Sequence, residues 1–296
     1  MRTLFEGGNS GIALTEIDGQ RAYNNKASRC QRIMVLNTAD LNRPYVIDIF
    51  RVTGGTTHDY VWHGAIRFDS TAESSSPLVA NTQTYPMLEG SETWVDPGAN
   101  GPYYGFWRNL SSNQASGDFQ ITYRDTSAAN RDVRLWMTDP GNPNVYVRRT
   151  PVPERDNSEP ADWFVNGLWR PSTIIRLRVT SGPLQSVFVS VIEPMKNGVS
   201  SIQSIERLPI SGSSLEATAL RITFTDGLVD TCMVKLRNPQ VAWRERRFCH
   251  CDHHERPILV DGTHRGSLHR PHRVAGLGRE SQPVPVPRRP VCAATA

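Results

Sequence analysis

Lysine is almost absent: only Lys26, Lys196 and Lys235 stand among 33 basic residues. Such a bias toward arginine often accompanies G+C-rich coding sequence and says little about function. No window approaches the roughly 18 uninterrupted apolar residues of a membrane-spanning helix, so no membrane is expected as a partner. No 12-residue window carries a sustained 3.6-residue apolar period, which excludes a helical bundle. Five cysteines in 296 residues are too few for a disulfide framework. The N-terminus, Met-Arg-Thr-Leu-Phe-Glu-Gly-Gly, lacks the apolar stretch of about 7–15 residues that a signal peptide requires. The expectation is either a cytoplasmic protein or a piece whose leader lies elsewhere.

What is present is short apolar segments with alternating side chains. In Thr173–Thr180, Ile175, Leu177 and Val179 fall on one face while Arg176, Arg178 and Thr180 fall on the other. In Ala217–Thr225, Leu220, Ile222 and Phe224 alternate with Arg221, Thr223 and Thr225. Period-two patterning puts one face in a core and one in water, as in antiparallel sheets. About a dozen such runs occur between Gly11 and Leu236, with 22 Gly and 21 Pro along the chain, many of them between the runs. Thr53-Gly54-Gly55-Thr56 and Asp226-Gly227 each separate two runs and read as hairpin turns. The fold class is therefore all-β: a large antiparallel β-sandwich of two sheets and about a dozen strands, with long aromatic-rich loops.

Two stretches interrupt the pattern. Residues 70–117 carry Trp94, Tyr103, Tyr104, Phe106 and Trp107, and residues 139–171 are proline-rich around Trp163 and Trp169. Packing over a sheet end is the plainer explanation for such loops. Sugar stacking on Trp62, Trp94, Tyr103, Tyr104 and Trp107 is the functional alternative, because flat aromatic faces suit the C–H faces of sugars.

Character changes after Trp243. From Arg244 onward there are ten Arg and five Asp or Glu, a balance of +5, so residues 1–243 sum to −1 of the net +4. Two domains are expected: residues 1–245 as the sandwich, and residues 246–296 as an irregular or disordered basic tail. The tail holds six of the eight His and almost no alternation outside Pro257–Val260. A reading-frame shift would explain that composition. Cys249, Cys251, His253 and His254 offer zinc-type ligands, but their spacing suits neither a ribbon nor a finger, so no metal site is expected there. Arginine without interleaved aromatics or a recognised module likewise gives no reason to expect nucleic acid.

Tyr45–His63 reads Tyr-Val-Ile-Asp-Ile-Phe-Arg-Val-Thr-Gly-Gly-Thr-Thr-His-Asp-Tyr-Val-Trp-His. It resembles a segment of the C-terminal β-sandwich of heparinase II/III-like polysaccharide lyases. Ser186–Pro209 and Ala219–Gln240 resemble strand pairs further along the same sandwich. The resemblance implies a parent that cleaves uronate-containing polysaccharides by β-elimination, is secreted or periplasmic, and builds its cleft between this sandwich and an N-terminal α/α toroid. Elimination requires neutralisation of the uronate carboxylate, a base such as Tyr or His for the C5 proton, and an acid for the leaving oxygen. The family's His-x-His-x-Asp-x-Gly-type stretch has no counterpart in this sequence, and neither has the toroid. The expectation is thus the distal part of a larger lyase, inactive alone, with the missing toroid and an acidic polysaccharide as partners. No cofactor is expected in this chain, although some relatives hold a structural Zn.

The body contains two histidines, His58 and His63. On a regular strand His58, Tyr60 and Trp62 share one face and Asp59, Val61 and His63 the other, so the two imidazoles do not grip one metal. In the functional reading His58, Tyr60 or His63 lines a groove and Arg51 pairs a substrate carboxylate. In the structural reading Asp48, Arg51, His58 and Asp59 satisfy one another across a hairpin, and this reading is preferred. The alternative from another class is a stand-alone carbohydrate-binding β-sandwich.

Overall fold

The computed structural model describes residues 3–7, 11–23, 26–64, 68–81, 108–127, 131–152, 168–212, 214–235, 249–253 and 256–259. All fall within the compact unit Met1–Gly262. Among them the fold is all-β and antiparallel throughout, with one 3-10 turn at Gln20–Tyr23. No helix among these residues is long and apolar enough to cross a membrane.

The strands form three sheets. An eight-stranded central sheet contains β1 (Thr3–Gly7), β2 (Ile12–Asp18), β3 (Arg29–Asn37), β4 (Tyr45–Thr53), β6 (Ser70–Ser74), β9 (Phe119–Asp125), β10 (Arg131–Met137) and β13 (Gln185–Lys196). Its order is β1-β2-β3-β4-β13-β10-β9-β6. An upper sheet contains β5 (Thr57–His63), β7 (Val79–Ala80), β8 (Arg108–Gln114), β11 (Asn144–Val152) and β12 (Leu168–Arg178), in the order β5-β12-β11-β8-β7. A lower sheet runs β14 (Ile202–Leu208), β15 (Ala217–Phe224), β16 (Val229–Lys235), β17 (Cys249–His253) and β18 (Arg256–Leu259) in sequence order. The last two strands belong to the segment expected to be an irregular tail. Residues 260–296 lie outside the described residues.

Two sheets were expected and three are found, because the central sheet is covered on both faces. Ile47 and Ile49 of β4 and Val189 and Val191 of β13 pack against Leu220, Ile222 and Phe224 of the lower sheet. From the same two strands, Phe50, Phe188 and Ile192 turn the other way, onto Tyr60, Ile175 and Leu177 of the upper sheet. The apolar residues of these runs thus alternate between two cores, which explains why β4 and β13 read as nearly unbroken apolar stretches.

The turn at Asp226-Gly227 forms the expected hairpin: β15 and β16 pair in register from Ala217↔Lys235 to Thr223↔Val229. The turn at Thr53-Gly54-Gly55-Thr56 does not. β4 pairs with β3 and β13 in the central sheet, whereas β5 pairs with β12 in the upper sheet. The double glycine is an arch between layers. Gly54 and Gly55 hold φ of 120° and 63°, and a Cβ on Gly54 would come within 3.0 Å of Ala27 Cα and of the Lys26 carbonyl, so glycine is required there. Gly54 N–H donates to Leu184 O at 3.0 Å and Leu184 N–H donates to Gly55 O at 2.9 Å. The arch is thereby stitched to the β12–β13 connection.

Candidate functional site

The residues that carry the sequence resemblance sit on β4 and β5, on either side of the space between the central and upper sheets. Alternation decides which way each points. Asp48 faces the upper sheet, fully buried, and its carboxylate accepts from Arg32 Nε at 2.9 Å, from Arg32 Nη2, and from the Tyr60 hydroxyl at 2.8 Å. Ser190 Oγ, from β13, lies 2.8 Å from the same hydroxyl. The Tyr60 ring packs 5.7 Å from the Phe188 ring, and the Arg32 guanidinium stands 5.3 Å from the Tyr60 centroid. Burial, reinforced by the Asp48 charge, raises the Tyr60 phenol well above its ordinary range. For Arg32, the pull of burial against charge is outweighed by Asp48, which raises the guanidinium overall. A phenol in this setting keeps its proton and donates a hydrogen bond to Asp48.

One step along the same strand face, His58 is buried. Its Nε2 meets the Gly54 carbonyl and its Nδ1 lies 2.8 Å from Ser186 Oγ. A carbonyl only accepts, so Nε2 carries the proton and Nδ1 accepts from Ser186. Burial pulls the His58 imidazole below its ordinary range, partly opposed by the bond to Gly54 and by Asp59. Trp62 packs at the edge of the upper core.

Asp59, on the opposite face of β5, pairs in a fork with Arg176 of β12, at 2.7 and 2.8 Å. Arg176 was expected on a wet face and is buried instead; the fork with Asp59 compensates its charge there. His63 ends β5 on this same face and is exposed. Desolvation, with the Arg148 guanidinium nearby, lowers its imidazole. Arg51 points the other way altogether, into the lower sheet, where Nη2 donates to Thr218 Oγ1 at 2.9 Å and Nε to Ser214 O at 3.4 Å.

The structure thus brings Tyr60 and Asp48 together, places His58 beside them, and keeps Arg51, His63 and Asp59 apart from that pair. The single network expected among Asp48, Arg51, His58 and Asp59 is instead four separate sets of partners, because β4 and β5 lie in different layers and each strand turns its two residues to opposite faces. Arg32, Arg176, Ser186 and Ser190 complete these sets and were not singled out in the sequence. Ser186 and Ser190 had a signal: two hydroxyls four residues apart, hence on one face, in the otherwise apolar run of β13.

Trp94, Tyr103, Tyr104 and Trp107 lie outside the described residues, as does His254. Cys249, Cys251 and His253 are on β17. Among the described residues no group of three or more His, Cys, Asp or Glu is arranged to hold a metal ion.

No protein-family model matches the chain. No curated protein matches it in sequence. Among solved structures it is similar to one described as the crystal structure of Heparinase III, at 11% identity and a TM-score of 0.45, over 79% of this chain and 27% of that one. The chain therefore spans about 27% of the length of that protein.

Proposed function

We propose that this chain is a non-catalytic β-sandwich scaffold and groove wall of a heparinase II/III-like polysaccharide lyase. The observation that carries the reading is the direction of the polar side chains in Tyr45–His63, the stretch with the family resemblance. Asp48, His58 and Tyr60 spend their hydrogen bonds on Arg32, Ser186, Ser190 and a backbone carbonyl. Tyrosine as a base for the C5 proton must shed its own proton and touch substrate; Tyr60 is enclosed and donates to Asp48. These residues bind layer to layer. On this reading the glycan served is acidic and uronate-containing, and the working compartment lies outside the cytoplasm.

The test is to incubate the purified full chain with uronate-containing polysaccharides and follow unsaturated uronate by its absorbance near the ultraviolet edge. No product is expected from the chain alone. Sustained turnover, abolished by Tyr60→Phe, would overturn the reading. Glycan binding without turnover, lost on Trp62→Ala or Trp107→Ala, would move the assignment to a stand-alone carbohydrate-binding module.

A further inference from the structure

Away from that cluster, at one end of the space between the central and lower sheets, Arg51 and Arg207 come together with no ion-paired carboxylate among the described residues. Arg51 on β4 is register-paired with Gln31 of β3 and Val187 of β13. Its contacts to Ser214 and Thr218 show that it faces the lower sheet. Arg207 on β14 is register-paired with Leu220 of β15. Directly paired residues share a face, and Leu220 belongs to the core between the two sheets. Arg207 therefore faces the central sheet. Arg29, one row beyond Arg51, donates to Leu215 O at 2.9 Å from the same end.

The partners of these guanidiniums differ from those of Arg32 and Arg176, which have Asp48 and Asp59. Arg51 is 0% exposed, yet its acceptors are a hydroxyl and a carbonyl, and its Nη1 has no acceptor among the described residues. No hydrogen bond or ion pair engages the Arg207 side chain among the described residues. Glu16 acts on Arg51 through its charge and accepts from the Gln31 amide at 2.6 Å, and Asp139 acts on Arg207 through its charge; neither forms an ion pair with these arginines among the described residues. Burial first, then repulsion from Arg207 and Arg29, pulls Arg51 down to about 10. A buried cation with an idle N–H, facing a second cation, calls for a compensating negative charge.

We propose that the end of the interface between the central and lower sheets binds one small tetrahedral oxyanion, sulfate or phosphate, between Arg51 and Arg207. The donors come from both layers, so a tetrahedral ion, with oxygens out of any single plane, suits them better than a planar carboxylate. Thr218 Oγ1 accepts from Arg51 and keeps its own proton to donate. Arg51 is fully enclosed and Arg207 only partly so, so the ion enters from the Arg207 side with a shift of that flexible side chain, a route open to a free ion and not to a polymer. The proposal is independent of the lyase reading.

The experiment is thermal unfolding of the full chain in rising sodium sulfate or sodium phosphate, with sodium chloride adjusted to constant ionic strength. Sulfate also stabilises proteins generally by exclusion from their surface, and that component does not saturate. A saturable rise in Tm is expected for the native chain. In Arg207→Gln its half-saturation point should move at least tenfold higher, while Arg221→Gln, which removes an exposed arginine paired with Glu206, keeps the native response. In anion-free buffer Arg207→Gln should melt no lower than the native chain, since it relieves repulsion on Arg51. A purely linear response, an unchanged saturable response in Arg207→Gln, or a saturable rise of equal size with sodium acetate would overturn the proposal.

Discussion

Tyr60 and Asp48 join two layers through one hydrogen bond: the hydroxyl on β5 of the upper sheet donates to the carboxylate on β4 of the central sheet at 2.8 Å. Both groups are buried, and Arg32 and Ser190 supply the remaining contacts. Tyr60→Phe keeps the ring against Phe188 and removes the hydroxyl with its bonds to Asp48 and Ser190. Asp48 retains Arg32, so the expected loss is about 1–2 kcal/mol. Asp48→Ala strands the Arg32 charge and the Tyr60 hydroxyl together, for an expected loss of about 3 kcal/mol or more. Urea unfolding of the two variants checks the order, and a milder effect for Asp48→Ala would show that the pair is not the tether.

The Asp59–Arg176 fork makes a different prediction, because both partners are nearly enclosed, with side-chain exposures of 12% and 2%. Arg176→Met alone leaves Asp59 without its fork and should cost about 3 kcal/mol. Adding Asp59→Leu removes the stranded charge and should recover most of that loss. A double-mutant cycle in urea measures the coupling. Additive losses would mean that the two side chains are stabilised separately.

Much of this architecture is legible in the sequence, and the missing part has a physical cause. β15 shows its alternation openly, with Leu220, Ile222 and Phe224 inward and Arg221 exposed, because the outer face of the lower sheet meets water there. β4 and β13 carry a different sign. Val46 to Phe50, interrupted only by Asp48, and Val187 to Ile192, interrupted only by Ser190, are the runs of strands covered on both faces; taken as half-wet strands, they leave no place for a third sheet. β6 and β8 (Ser-Thr-Ala-Glu-Ser and Arg-Asn-Leu-Ser-Ser-Asn-Gln) are too polar to announce themselves. The Gly54-Gly55 arch and the Gly227 hairpin both need positive φ. The hairpin joins neighbouring strands, but which layer the arch leads to depends on Leu184 and on β12 and β13, more than a hundred residues away, which no local pattern encodes. The same holds at the candidate site, where Asp48 and Tyr60 stand out in the sequence but their layer does not.

Gly54 itself supplies a prediction. Its φ of 120° disfavours any side chain, and a Cβ would press on the backbone at Ala27 and Lys26 rather than on a movable side-chain tip. Gly54→Ala should therefore cost about 2 kcal/mol or more, while Gly55→Ala, with φ of 63° and open space around the Cβ, should cost about 1 kcal/mol. Chemical denaturation of both variants tests the ranking; equal losses would mean that the close approach to Ala27 relaxes freely.

His58 ties stability to pH. Burial lowers the folded-state pKa below the unfolded value of about 6.5. The unfolded chain therefore binds more protons than the folded one in the window between those two values, and stability rises with pH across it. The contribution is complete above about pH 6.5, shrinks as pH falls through the window, and is gone below the folded pKa. His63 is shifted in the same direction, so the comparison is best made in a His63→Gln background. There, His58→Gln should flatten the fall in Tm between pH 7.5 and 5.5, the range of about one unit either side of the unfolded pKa. The variant loses some stability at pH 7.5, where the bonds to Gly54 and Ser186 are intact in the parent. An equally steep fall with and without His58 would place the acid sensitivity in other groups.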